Sequence, residues 1–294
     1  MTWVSHPFTF ESEDGLKLAG DRAGSRTGQP VVLMHGGGQT RHSWHGAVRE
    51  LAARGYDVIN LDARGHGDSQ WAGTGTGYTL DKLASDLSRV MAMVDRPPVL
   101  IGASLGGLTA MHAISREPDR PVAALVLVDV VPRIEHDGAE RISNFMKANP
   151  EGFATIEEAA AAVAAYNPHR PRPTSPEGLM KNLRRDPQGR LRWHWDPVFV
   201  REALGARMFD VDAMLRGCRQ FHEPALLVRG MHSDIVSDAG IAELRAALPQ
   251  LEVFNVREAG HMIAGDRNDA FNGAVLEFLA RLDPRGRRAH GRNG

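Results

Sequence analysis

Residues 98–107 read Pro-Val-Leu-Ile-Gly-Ala-Ser-Leu-Gly-Gly. The apolar run Pro98–Ala103 passes straight into a helix that begins near Leu105, so Ser104 falls on the sharp turn between strand and helix. Such a turn forces strained backbone angles on the serine and leaves no room for side chains two residues to either side. Gly102 and Gly106 meet that demand, and Gly107 lets the helix pack close to the sheet. The start of the helix also aims free N–H groups, and a positive partial charge, at any negative charge that develops near Ser104. In a chain with 31 glycines a G-x-S-x-G string can arise by chance. Its strand–turn–helix setting is what marks Ser104 as a candidate nucleophile.

Outward from this turn the same rhythm repeats. Val31–His35, Tyr56–Asp62, Val122–Val130, Pro224–Arg229 and Leu251–Val256 are apolar almost throughout, as parallel strands buried on both faces must be. Phe8–Glu11 and Leu16–Asp21, around the turn at Asp14-Gly15, precede them as a pair of short strands. Between strands, Leu83, Leu87, Val90, Met91 and Val94 fall on one helical face, as do Phe271, Ala274, Val275, Phe278, Leu279 and Leu282. Strand–helix units with short connections predict an α/β fold with a mostly parallel, doubly wound, eight-stranded sheet.

The rhythm breaks between about Pro132 and Phe221, where no strand is evident and the helix signals differ. Thr155 with Glu158 forms a capping box, and Ser175-Pro176 and Asp196-Pro197 each pair an N-cap with proline at the first helical position. The expected organisation is a core of residues 1–131 and 222–282, a helical cap at 132–221, and a polar, disordered tail at 283–294.

Further chemistry gathers at the predicted strand ends, where open α/β sheets bind ligands. His35-Gly36-Gly37-Gly38 follows the Val31–Met34 strand, and its glycines let the backbone fold beneath a carbonyl. The N–H of Gly37, with that of Leu105, is the expected oxyanion-binding pair, while His35 reads as a structural hydrogen-bonder. His261, in Ala259-Gly260-His261-Met262 after the final strand, is the expected base, since the order Ser…Asp…His places it there. For the acid, Asp234 is favoured over Asp129, because its loop neighbours that of His261 in the predicted strand order. Asp238 reads as a helix cap.

Composition limits the alternatives. Lys and Arg number 35 against 36 acidic residues, so no bulk field draws the chain to nucleic acid or a membrane. The 294 residues are 42% hydrophobic and 24% charged, which suits a large core. One cysteine, Cys218, excludes an intrachain disulfide and gives no support to a thiolate metal cluster. Met1–Phe10 lacks the pattern of a signal peptide, and no apolar stretch is long enough to span a bilayer. A cytoplasmic enzyme with a small-molecule substrate and no metal is expected.

Together the HGGG turn at 35–38, the stretch Asp62-Ala63-Arg64-Gly65-His66-Gly67-Asp68-Ser69, the elbow at 102–106, the acid loop and the histidine loop closely resemble the α/β-hydrolase superfamily. The DxRGHGxS stretch is similar to that of a subgroup holding epoxide hydrolases, haloalkane dehalogenases, haloperoxidase-like esterases and carbon–carbon bond hydrolases. The resemblance implies that it builds a loop, so His66 and Asp68 are assigned structure rather than metal ligation. Epoxide hydrolases and dehalogenases carry aspartate at the elbow, and Ser104 argues against both.

The resemblance further implies a helical cap, no cofactor, and ester hydrolysis through a Ser-His-Asp triad. A lactonase or a carbon–carbon hydrolase is the alternative of the same fold, with Arg170, Arg172, Arg184 and Arg185 as potential carboxylate binders. A small-molecule receptor is the non-enzymatic alternative. Phe145, Met146, Phe153, Trp193, Trp195, Phe199, Met208 and Phe209 are candidate pocket residues, or else fix the cap to the sheet. Trp44 reads as packing.

Overall fold

Every apolar run forms a strand in a computed structural model of the chain, which describes residues 4–73, 77–166, 175–203, 209–257, 259–260 and 268–282. The strands are β1 (Ser5–Glu11), β2 (Lys17–Gly24), β3 (Pro30–Met34), β4 (Asp57–Leu61), β5 (Val99–Ala103), β6 (Ala124–Val128), β9 (Ala225–Gly230) and β10 (Leu251–Val256). They make one eight-stranded sheet in the order β1-β2-β4-β3-β5-β6-β9-β10. β2 pairs antiparallel with β1 and with β4, and the remaining pairs are parallel. The winding direction changes between β3 and β5, and the crevice beyond their carboxyl ends lies at that switch point.

Burial on both faces explains the unbroken apolar runs. Val32, Met34, Leu100 and Leu125 face a layer built from α2 (Leu80–Met91) and α3 (Leu105–Arg116). Val31, Leu33, Ile101 and Val126 face the opposite layer, from α1 (His45–Ala53) and α9 (Asn268–Leu282). Successive residues alternate between the two, as the strand period requires. Trp44 is buried against Phe271, ring centroids 5.5 Å apart, in agreement with a packing role.

Between β6 and β9 lie α4 (His136–Lys147), α5 (Ile156–Tyr166), α6 (Pro197–Ala203) and α7 (Val211–Cys218), with α8 (Asp238–Ala247) following β9. The predicted caps form: Glu158 N–H donates to Thr155 Oγ1 while Glu158 Oε2 accepts from Ala154 N–H. Ser175 caps a 3-10 turn at Pro176–Asn182, and Asp196 Oδ1 accepts from Val198 N–H.

One expectation fails here. This segment contains a hairpin of β7 (Leu183–Arg185) and β8 (Leu191–Trp193). Each strand has three residues, too few for a periodic signal. The turn is held by Asp186, whose carboxylate accepts from Gln188 N–H, Arg190 N–H and Arg192, with Gly189 at φ 81. Beyond β8 the chain docks on the Asp62–Ser69 loop. Asp196 N–H donates to Gly65 O, Gly67 N–H to His194 O, and Tyr78 Oη to Asp196 Oδ2.

Candidate active site

Ser104 occupies the predicted turn with φ 47 and ψ −114, a strained conformation, and α3 starts at the next residue. A Cβ on Gly102 would lie 2.4 Å from the Gly106 carbonyl, and one on Gly106 would lie 2.4 Å from Met34 O. Both glycines are therefore dictated by backbone approach. Gly36 packs against the serine, its Cβ direction 3.4 Å from Ser104 Cβ.

The turn after β3 has its donors and acceptors assigned one by one. Gly36 N–H donates to Gln39 Oε1 (3.2 Å), Gly38 N–H to His66 Nε2 (3.1 Å), and Gln39 N–H back to Gly36 O (3.1 Å). Among the described residues the Gly37 N–H has no partner. Its α-carbon faces the Leu105 side chain, with 4.0 Å between a Cβ built on Gly37 and Leu105 Cβ. As the first residue of α3, Leu105 has no intrahelical acceptor for its own N–H. Gly37 and Leu105, the two residues singled out in the sequence as donors, are thus neighbours in space, and Leu105 directly follows Ser104.

Two buried histidines support that turn. His35 Nδ1 lies 2.8 Å from Gly36 O, and its Nε2 accepts from Ala63 N–H at 3.0 Å. His66 Nδ1 lies 3.1 Å from Arg64 O, and the rings sit 5.2 Å apart. Burial lowers both pKa values, to about 4 for His35 and about 3 for His66, so both rings are neutral at neutral pH. The rest of the DxRGHGxS loop is held by charge. The Asp62 carboxylate accepts from the Arg41 guanidinium and from the N–H groups of Arg41 and Asp68. Arg64 is buried between Asp86 and Asp14. Asp68 pairs with Arg41, and no cluster fit for a metal occurs among the described residues.

The two candidate acids have different surroundings. Asp129 follows β6 with φ 49 and is fully buried. It accepts from Gly230 N–H (2.9 Å) and from Ser233 Oγ (2.6 Å). Asp234 is half-buried and pairs at 2.7 Å with Arg141 of α4. Its backbone carbonyl lies against Gly138 of the same helix. Asp238, at the start of α8, pairs with Arg229, and the cap of α8 is Ser237 instead. His261, the expected base, lies outside the described residues, as do Met208, Arg170, Arg172 and the tail at 283–294.

Above Ser104 and Gly36–Gly38 is a cavity of about 1250 Å³. Its aromatic wall is continuous. Trp195, which meets Gly38, stacks on Trp193 at 4.9 Å; Trp193 meets Phe145 at 5.6 Å, and Phe145 stacks on Tyr166 at 4.4 Å. Met146, Phe199 and Phe209 also line it, whereas Phe153 packs behind Trp193 and does not reach the space. Among the described residues, the lining side chains Arg133, His136, Glu140, Lys147, Asp210 and Asp212 are all exposed. Arg184 stacks over Trp71, 3.6 Å from the ring centroid, and Arg185 bonds to Gly189 O, so neither lines the cavity. Gln39, Tyr166 and Asn182 line it without having been expected. Of these only Gln39 carried a sequence signal, its position directly after the HGGG turn.

A mostly parallel sheet with a serine elbow and a glycine-rich donor turn at its switch point defines the α/β hydrolases. The chain belongs to that family: residues 29–267 match the model of the alpha/beta hydrolase fold. It is 30% identical over 244 residues to an esterase of Mycobacterium tuberculosis, covering 81% of this chain and 78% of that one. It is 27% identical to a non-heme haloperoxidase of Rhodococcus erythropolis, over 93% of this chain and 99% of the other. An alpha/beta hydrolase structure from Novosphingobium aromaticivorans superposes with a TM-score of 0.80 at 25% identity, over 94% and 98% of the two chains. The protein is a hydrolase, and no helix among the described residues is long and apolar enough to cross a membrane.

Proposed function

We propose that this enzyme cleaves carboxylic esters of neutral, largely apolar substrates through an acyl-enzyme on Ser104. What carries the reading is the closeness of Gly37 and Leu105 beside a strained serine that opens into a cavity walled by aromatic rings. His261 takes the Ser104 proton as Oγ attacks the ester carbonyl, and the N–H groups of Gly37 and Leu105 receive the charge that forms on the carbonyl oxygen. The imidazolium then protonates the leaving alcohol. Water, deprotonated by the same ring, hydrolyses the acyl-enzyme and restores Ser104.

Asp129 orients His261 in this scheme, although the sequence favoured Asp234. Its support is local. Gly230, whose N–H binds Asp129, is packed against the carbonyls of Ala259 and Gly260, each 2.5 Å from its Cβ direction. Ala259 and Gly260 therefore lie beside the residue whose N–H binds the Asp129 carboxylate. Asp234 instead holds α4 to the core through Arg141. A buried carboxylate fixed by a backbone N–H and a hydroxyl is of the type that can also accept from an imidazole N–H.

Residues 132–221 form the cap in this reading, over a core of 1–131 and 222–282, and the cap determines substrate choice. With the charged side chains among the described lining residues all exposed, a carboxylate deep in the cavity would find no partner among them and would be buried at a cost of several kcal/mol. This favours an ester over the diketone acid of a carbon–carbon hydrolase. The names of relatives agree: besides the esterase above, the chain is 29% identical to a 3-hydroxybutyrate-oligomer hydrolase of Cupriavidus necator. The single buried cysteine suits a cytoplasmic site of action.

The test is hydrolysis of p-nitrophenyl esters from acetate to decanoate by wild type, Ser104→Ala, Asp129→Asn and Asp234→Asn. Ser104→Ala is expected to abolish turnover. Asp129→Asn should lower kcat by on the order of 10³–10⁴, as loss of the orienting acid does. Asp234→Asn should lower it less than about tenfold, a surface-pair effect. Turnover that survives Ser104→Ala would defeat the reading, and a larger loss in Asp234→Asn would return the acid to Asp234. Binding without turnover would point to a receptor.

A further inference from the structure

The DxRGHGxS loop has no place in the chemistry above, yet one of its side chains touches the donor turn. We infer that His66 and His35 form a reciprocal pair of neutral positioning residues that sets the direction of the Gly37 N–H for oxyanion binding. The inference rests on the ester reading at Ser104.

The hydrogen bonds settle the tautomer of each ring. His66 Nδ1 faces a carbonyl, Arg64 O, and so carries the proton; its Nε2 faces the Gly38 N–H and presents a lone pair. His35 does the same, with Nδ1–H to Gly36 O and Nε2 accepting from Ala63 N–H. Each histidine thus donates within its own loop and accepts from the other, and the 35–38 turn is stapled to the 63–66 turn in both directions. The peptide units on either side of Gly37 are both engaged. The Gly36 carbonyl accepts from His35 and Gln39, and the Gly38 N–H is taken by His66. Of the N–H groups of Gly36, Gly37 and Gly38, the one left without a partner among the described residues is that of Gly37.

Neutrality is required by this geometry, since a protonated Nε2 cannot accept from an N–H. The burial of both rings enforces it. Phe199 meets the His66 ring edge-on at 4.6 Å and lies 3.8 Å from where a Cβ on Gly37 would be, and Trp195 bridges to His66. The segment between β6 and β9 thereby clamps the same ring that supports the turn.

His66→Phe keeps ring volume and removes both bonds. His66→Gln returns an acceptor near the position of Nε2. His66→Phe is expected to lower kcat on a p-nitrophenyl ester by about 10- to 100-fold, below the effect of deleting a donor outright, with KM changed less than about threefold. The inhibition constant of a trifluoromethyl ketone, which places an oxyanion in the same hole, should rise by the same factor as kcat falls. His66→Gln should recover most of both losses. Independently of activity, ¹⁵N NMR of the wild type should show both histidines as Nδ1–H tautomers, the rarer form of free imidazole.

An Nε2–H tautomer at His66, or His66→Phe with unchanged kcat and ketone inhibition, would overturn the inference. So would a variant whose loss is confined to melting temperature. Wild type that neither turns over esters nor reacts with a fluorophosphonate at Ser104 would defeat the ester reading, and this inference with it. Active wild type with an indifferent His66→Phe defeats this inference alone. Should His66→Phe not fold, the tautomer and the His66→Gln kinetics decide.

Discussion

Lowering the pH from 7 to 5 should destabilise the fold steeply, and the two buried histidines give the size of the effect. In the unfolded chain each titrates near 6.5, whereas burial lowers His35 to about 4 and His66 to about 3. Between those limits the unfolded state binds more protons, so stability is complete above the unfolded pKa and falls with pH below it. At about pH 5 an unfolded histidine is almost wholly protonated, and either native ring is still neutral. The loss is then about 2 kcal/mol per ring by proton linkage, and about 4 kcal/mol for the pair. Asp62, Arg41 and Asp196 are the charged groups around the rings. Asp62 and Asp196 favour protonation of His66 and Arg41 opposes that of His35, but burial comes first for both. Urea unfolding of wild type and His66→Gln at the two pH values isolates one ring from the other titrating groups. The wild-type loss should exceed that of the variant by about 2 kcal/mol. Equal losses in the two proteins would show that His66 is not held neutral, and would remove the basis for its role as an acceptor.

Gly106→Ala places a Cβ 2.4 Å from Met34 O, with no flexible side chain to yield, and should cost about 2–3 kcal/mol in thermal or urea unfolding. Gly178→Ala, with nothing within 4 Å, should stay within about 0.5 kcal/mol of wild type, and equal behaviour of the two would refute the close-approach argument. Cys218 is buried and its thiol is pushed up to about 12, so a disulfide reagent at neutral pH should leave it unmodified in the native protein and label it fully in denaturant. Rapid native labelling would contradict its burial.

The sheet was legible because its strands are sandwiched between helical layers, and a strand buried on both faces leaves an unbroken apolar run such as Leu125–Val128. The elbow was legible because the backbone approach at Gly102 and Gly106 admits no side chain, a demand visible in residue type alone. The β7–β8 hairpin was not legible. Its order comes from Asp186 and from the Phe153–Leu191 bridge, contacts that no three-residue pattern announces. The aromatic wall was half legible. Trp193 and Trp195, two apart in an extended segment, point to the same side and stack at an interplanar angle of 9°. That Phe145 and Tyr166 continue the row depends on how α4 and α5 cross, which follows from tertiary packing.

The choice of acid marks the limit of reasoning from strand order. β9 lies beside β10, so a loop after β9 neighbours the loop that holds His261, and order alone favours Asp234. Order says nothing of where a side chain turns. Val128 pairs with Val228, which leaves Asp129 level with the last residues of β9, and its φ of 49 accompanies a carboxylate directed to Gly230 rather than to solvent. Asp234 lies only four residues beyond Gly230, yet the Arg141 guanidinium on α4 draws its carboxylate toward the helical segment. An ion pair between half-exposed groups and a fully buried, hydrogen-bonded carboxylate serve different ends: the first tolerates movement of α4, and the second fixes one oxygen geometry. A histidine that must stay in one tautomer through two proton transfers requires the fixed carboxylate. On that ground Asp129 is the acid we propose for the orienting role, with Asp234 as the clasp on α4.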